Sequence, residues 1–262
     1  MWMIFDIETV PDADSGRVWL EMSNSAPDHE VRASMLQHRV EETGGGSSFL
    51  KPAFHQVVAV AAAIVDDSGS LRRLTALGRI QSPESELVTE FFRIIDEARP
   101  RLVGWNSSGF DLTTLVLRAI RHGIAAPVFY QFGEPYHGYR KRFDEESHID
   151  LMDVFSGYGA APRMSLHEMA CMMKIPGKLG VSGKDVMDLY QGNQMKAIRD
   201  YCELDVLTTT LIFGSYAHHR QWFTADQKHS FDQSVKTFLA DHQEPHWQKF
   251  TQNWLALSSR NQ

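Results

Sequence analysis

The opening run MWMIFDIETV sets a condition that the rest of the chain has to meet. Trp2, Met3, Ile4, Phe5, Ile7 and Val10 make it a strand bound for a core, yet Asp6 and Glu8 sit inside it. Successive side chains of a strand point to opposite faces, so Asp6 and Glu8 share a face with Ile4, while Phe5 and Ile7 take the other. An unpaired buried carboxylate is costly, and two on one face need a strong partner or open water. A cation would serve, provided that the chain supplies further acids.

The 262 residues, 43% of them hydrophobic, suffice for one large domain or a domain with an appendage. A polar stretch, 11–53, holds an expected helix over 28–40 and the glycines of GGGSS at 44–48; it reads as an insertion before the second strand. HQVVAVAAAIVDD, 55–67, is a continuous apolar run and so a buried strand. SGS at 68–70 makes a turn, and LRRLTALGRI at 71–80 reads as the second strand of a hairpin. Residues 84–98 form an amphipathic helix with Leu87, Phe91, Ile94 and Ile95 on one stripe. A short strand is expected over 101–106 and a helix over 110–121, stopped by Gly123. Residues 124–147 are irregular, with a basic cluster at Arg140, Lys141 and Arg142. HIDLMDVF, 148–155, is a strand turning into a helix, and 165–174 is another helix. A glycine-rich loop, PGKLGVSGK, occupies 176–184; a long helix spans about 194–217, and one or two more lie within 224–258. Strands alternating with helices indicate an α/β layered domain.

Several classes are disfavoured. No apolar stretch is long enough to span a bilayer, and a strand beginning at Trp2 leaves no room for a leader ahead of it. Cys171 and Cys202 form neither a CxxC motif nor a disulfide framework. The expectation is a soluble cytoplasmic protein with reduced thiols and no membrane partner. A net charge of −7 argues against coating nucleic acid by bulk electrostatics. It leaves open a local grip on a short piece of nucleic acid, and acids gathered at a metal site would add to the count.

Two later stretches repeat the puzzle of the first. In WNSSGFD, 105–111, a strand ends, a small-residue turn follows and Asp111 opens a helix. Asp is common at helix N-termini, so a capping role and a ligand role both stand. In IRDYCELDVLTTTLI, 198–212, the inward helical stripe runs Ile198, Cys202, Asp205, Thr209, Ile212, with Tyr201 one turn before Asp205. A buried Asp satisfied by a tyrosine or arginine, and a functional Asp, fit this stripe equally. His29, His55 and the tail histidines lack metal-ligand spacing and read as surface or core residues.

Taken together, D-x-E on a first strand, N-x-x-x-F-D at a strand-to-helix turn and Y-x-x-x-D on a late helix occur in that order. The set resembles the DEDD exonuclease superfamily, in the subtype with a tyrosine in the third motif. GWNSSGFDL, HIDLMD, PGKLGVSGKDV and YCELDV are similar to one branch, the bacterial predicted 3′–5′ exonucleases related to the exonuclease domain of family B DNA polymerases. The resemblance covers 2–11 and nearly all of 54–215; it is weak in the insertion, in 139–147 and in the tail.

The resemblance implies a ribonuclease H-like mixed five-stranded sheet flanked by helices over 1–217, followed by a helical extension over 218–262. It implies Asp6, Glu8, Asp111 and Asp205 as metal ligands and Tyr201 as their catalytic companion. Oxygen ligands suit Mg²⁺ or Mn²⁺, and two such ions about 3.5–4 Å apart clamp an in-line phosphodiester displacement. Tyr201, with an ordinary pKa of about 10, would orient the attacking water first and transfer its proton only second. The implied substrate is a single-stranded DNA 3′ end and the product a nucleoside 5′-monophosphate. Thr9 and Phe110 flank the ligands, within reach of a terminal nucleotide, and Asn106 is placed to hydrogen-bond the strand; core and turn roles are their alternatives. Lys178 and Lys184 flank loop glycines whose amides suit a phosphate, whereas Arg140, Lys141 and Arg142 read as solvated charges. His148 and Asp150 belong to a recurring segment of the branch, although Asp150 or Asp153 also suits a helix start. Two rival readings remain: an RNA-directed exonuclease or other ribonuclease H-like nuclease, and a non-catalytic nucleic-acid-binding module. The residues beyond 217 are too few for a polymerase domain, so a free-standing nuclease is expected.

Overall fold

The computed structural model describes residues 1–131, 137–180 and 182–259. Residues 132–136 of the irregular stretch and Val181 of the glycine-rich loop therefore lie outside the described residues.

The opening run becomes β1 (Trp2–Pro11), the middle strand of a five-stranded sheet. The others are β2 (His55–Val65), β3 (Leu71–Ala76), β4 (Arg101–Gly104) and β5 (His148–Asp150). The order is β3-β2-β1-β4-β5. The pairs β1–β2 and β2–β3 run antiparallel, and β1–β4 and β4–β5 parallel, so the sheet is mixed as expected. Two strands stop earlier than their sequence patterns suggest. β3 ends at Ala76 because Gly78 takes a φ of 59°, in the left-handed region. The carbonyls of Ala76, Leu77 and Gly78 then turn to the Arg199 guanidinium, at 3.0, 2.6 and 2.9 Å. β4 ends at Gly104 because Asn106, with φ of 59°, reverses the chain.

Alternation along β1 feeds two cores. Met3, Phe5 and Ile7 pack with Val60, Leu87, Phe91 and Leu115 under α3 (Glu84–Ala98) and α4 (Asp111–Arg121). Ile4 faces the opposite layer with Ile198, Cys202 and Val206 of α9 (Met195–His219). The polar stretch after β1 is an ordered pair of helices, α1 (Ala13–Trp19) and α2 (Asp28–Glu42), around a small core of Ala13, Val31, Met35 and Leu50. Helix α1 was not legible as a helix in the sequence. Short helices α5 (Pro127–Tyr130), α6 (Leu151–Phe155), α7 (Leu166–Met173) and α8 (Val186–Gln191) complete the connections to α9. Ser165, expected inside a helix, instead caps α7 in a reciprocal pair with Glu168.

The tail forms α10 (Ala225–Asp241) and α11 (Pro245–Ser259). Phe231, Val235, Leu239, Trp247 and Phe250 of these helices join the same core as Ile4 and Phe213. Helix α10 approaches α9 at Gly214, where a Cβ would lie 2.2 Å from the Phe231 ring, so only glycine fits. Among the described residues no helix is long and apolar enough to cross a membrane.

Candidate active site

Asp6 and Glu8 project from the Ile4 face of β1 toward α9, which carries Tyr201 and Asp205. β4 pairs with β1 only over Trp2–Ile4. Further along, the Ile7 amide instead donates to the Asp111 carboxylate, at 3.2 Å, and this draws the first residue of α4 to the strand. Glu8 and Asp111 are buried, and Asp6, Tyr201 and Asp205 are half-buried. The Cys202 thiol lies 3.4 Å from the Asp6 carbonyl and 3.8 Å from its carboxylate, behind the acids.

Burial dominates the electrostatics of the acids, and like charge adds to it at Asp6 and Glu8. Burial, then the charges of Asp111, Glu8 and Asp205, push Asp6 well above the usual carboxylate range. Burial, with Asp205 and Asp111, does the same to Glu8. Asp111 is pushed up to about 7 by burial, against the hydrogen bonds of its own and the Ile7 amide. Asp205 rises to about 6 because burial outweighs the Tyr201 hydrogen bond and the Lys178 charge. The Tyr201 phenol is raised by burial and by the charges of Asp205, Glu8 and Asp6, so it keeps its proton and donates to Asp205. The structure thus brings the four acids and the tyrosine to the central strand from three separate stretches of the sequence.

The turn before Asp111 is fixed from β5. Asp150 accepts from the amides of Asn106 and Ser108, each at 2.9 Å, and also caps α6 through Met152 and Asp153 at 3.1 and 3.4 Å. The helix-start reading of Asp150 therefore held, and it left out the clamp on the turn. His148 meets the hydroxyl of fully buried Ser107 at 2.8 Å, and burial lowers its pKa to about 4, keeping the imidazole neutral. Arg142, expected to be a solvated charge, pairs with buried Asp153 at 2.7 Å, and Arg163 joins at 3.0 Å. Arg140 and Lys141 are exposed.

Thr9 and Phe110 border the acids. Thr9 bonds His55 at 2.8 Å, and the half-buried Phe110 ring meets His55 edge-on at 4.9 Å. Phe49, from the segment before β2 and 57% exposed, packs on Phe110 at 5.1 Å. Sequence reasoning missed Phe49 because no periodicity marks it. Lys178 and Lys184 are exposed; the Lys178 charge acts on Asp205, and both lysines help to lower Asp185, after its hydrogen bonds from Ser182. A further cluster joins Asp200, Glu203 and His246, so this tail histidine is neither simply surface nor core. Its acids are already committed: Lys196 holds Asp200 at 2.7 and 2.8 Å, and Glu203 accepts from the Ala76 amide at 2.7 Å and meets His246 at 3.0 Å. The cluster works as a polar network that ties α11 to α9 and β3.

Sheet order, helices on both faces and acids gathered beside the central strand define a ribonuclease H-like α/β protein. Residues 47–254 match the family described as predicted 3′–5′ exonucleases related to the exonuclease domain of PolB, and the chain belongs to that family. The match begins after β1, so Asp6 and Glu8 lie upstream of it. Among solved structures, the family B DNA polymerase from the hyperthermophilic archaeon Pyrobaculum calidifontis is similar, with a TM-score of 0.51 and 16% identity. The similarity covers 82% of this chain and 24% of that polymerase chain, and it concerns the fold. No curated protein matches the chain.

Proposed function

We propose that the protein is a metal-dependent 3′–5′ exonuclease that releases nucleoside 5′-monophosphates from single-stranded DNA. The observations that carry this reading are Asp6 and Glu8 on one face of the central strand, Asp111 bonded to the Ile7 amide between them, and Tyr201 and Asp205 on the helix that this face meets, in a chain of this family. The donor set fits the implied metals. All four donors are carboxylates, the hard oxygen ligands that Mg²⁺ and Mn²⁺ prefer. Burial raises all four, and neighbouring acids add to it at Asp6 and Glu8. Held by these four acids, two divalent ions would supply the charge stabilisation that a phosphodiester displacement needs at its attacking and leaving oxygens.

The chain's own residues do the rest. Tyr201 keeps its proton, so its hydroxyl orients the attacking water and does not serve as the base. Asp150, by clamping the Asn106–Ser108 turn, fixes where Asp111 enters the site. Thr9 and Phe110 contact the terminal nucleotide and Asn106 the strand, while Lys178 and Lys184 meet its phosphates. Residues 1–217 form the nuclease unit and 218–262 its extension. End-labelled single-stranded DNA, with Mn²⁺ or Mg²⁺, should shorten one nucleotide at a time from the 3′ end, and chelation should stop it. Degradation of 3′-blocked DNA, or cutting of a circular strand, would overturn the assignment.

A further inference from the structure

Helix α11 reaches the candidate active site. A cavity of about 260 Å³ has Tyr201 and Asp205 on one wall, Gly177 and Leu179 of the glycine-rich loop on a second, and His246 and Lys249 of α11 on a third. Its volume falls below the roughly 300–1,000 Å³ of pockets that enclose a whole drug-sized ligand. What enters is therefore part of a nucleotide, such as a phosphate with its sugar.

Lys249 is the cation of that cavity. Its ammonium donates to the Leu179 carbonyl at 2.5 Å and stands 3.4 Å from the position a Cβ would take at Gly180. An ammonium carries three donors. Among the described residues, Lys249 uses one on Leu179 and has no carboxylate partner. Asp200, on the same cavity, is already matched by Lys196 at 2.7 Å. A flexible point charge with donors to spare, beside the residues that meet the scissile end, suits a phosphate.

We propose that Lys249 is a substrate-binding residue contributed by the C-terminal extension, and that the cavity takes a nucleotide phosphate beside Tyr201 and Asp205. The inference rests on the exonuclease reading. Its ligand is either a phosphodiester of the bound strand or the released 5′-monophosphate. The same contact to Leu179 steadies the loop that carries Lys178.

Lys249→Gln keeps a donor for the Leu179 carbonyl and removes the charge; Lys249→Arg keeps the charge. For a labelled single strand, Lys249→Gln should raise KM about fivefold, the upper range of an exposed charge contact, with kcat within about twofold. It should also cut the log–log salt slope by about 0.7, one phosphate of a single strand. Lys249→Arg should restore both. Inhibition by a deoxynucleoside 5′-monophosphate weakens in Lys249→Gln if product is the occupant and stays unchanged if the strand is. Strand binding measured by anisotropy in Ca²⁺ separates this inference from the reading beneath it. An inactive wild type whose binding still depends on Lys249 overturns the nuclease assignment alone. An active wild type whose KM, binding and salt slope ignore Lys249→Gln overturns the inference alone, as does a kcat loss that Lys249→Arg fails to restore.

Discussion

Replacing Arg118 tests how α4, and with it Asp111, is anchored. The guanidinium is 3% exposed. It donates to both oxygens of Glu84, at 2.6 and 2.5 Å, and to Asp12 at 2.7 Å, joining α4 to the start of α3 and the end of β1. Arg118→Met keeps most of the volume and strands two buried carboxylates. Breaking a buried pair from one side costs about 3–5 kcal/mol. His122, 2.8 Å from Glu84, and Arg121, 3.7 Å from Asp12, offset part of the loss, so the lower end applies. At roughly 2–4 °C per kcal/mol for a chain near this size, Tm should fall by about 6–12 °C. The pH dependence has a definite sign. Burial pushes Asp12 up, but the Ser15 hydroxyl and Arg118 outweigh it and hold the carboxyl below its usual range. That stabilisation is present above the unfolded value of about 3.9 and is lost as pH falls through the folded one. The gap between wild type and Arg118→Met should therefore be widest near neutrality and close below about pH 4. Thermal melts across that range would measure it. A gap under about 1 kcal/mol at pH 7, or one that persists unchanged into acid, would refute the reasoning.

Two further results are expected. Asp205→Asn removes one of four converging charges, so in chelator its Tm should exceed that of the wild type; Mn²⁺ should then stabilise the wild type by mass action and the variant less, and equal metal-induced shifts would count against a shared site. Tyr201→Phe removes the hydroxyl that donates to Asp205 and should lower kcat by about a hundredfold while leaving KM in place, since a lost positioned donor acts on the reacting state; single-turnover rates at saturating DNA would reveal an unaffected step.

The strand pattern of the opening run was enough to place Asp6 and Glu8, because a period of two leaves one choice of face once Phe5 and Ile7 are committed to the core. The Ile198–Cys202–Thr209 stripe did the same for Asp205. Other parts of the site were not legible. Asp150 signals a helix start in sequence, and nothing local reveals that its carboxylate also reaches back 44 residues to the Asn106 turn. Helix α1 escaped notice because seven residues with a glycine inside carry too little periodicity. The wall that α11 adds depends on tertiary packing: His246 and Lys249 lie on a polar helix face whose sequence resembles any solvated one. The early ends of β3 and β4 depend on left-handed residues, a property that Asn106 permits and does not announce.

The hydrogen bond from the Ile7 amide to Asp111 bears on how an inert form of this protein should be made. Alanine at 111 would remove a proposed metal ligand and also strip the acceptor from an amide in the middle strand, so loss of turnover would be mixed with a loosened sheet. Asparagine keeps a carbonyl for that amide and offers the proposed cations a neutral group in place of a charge. A trap intended to hold a DNA 3′ end without cleaving it is therefore better built on Asp111→Asn, in which the scaffold and the chemistry come apart cleanly.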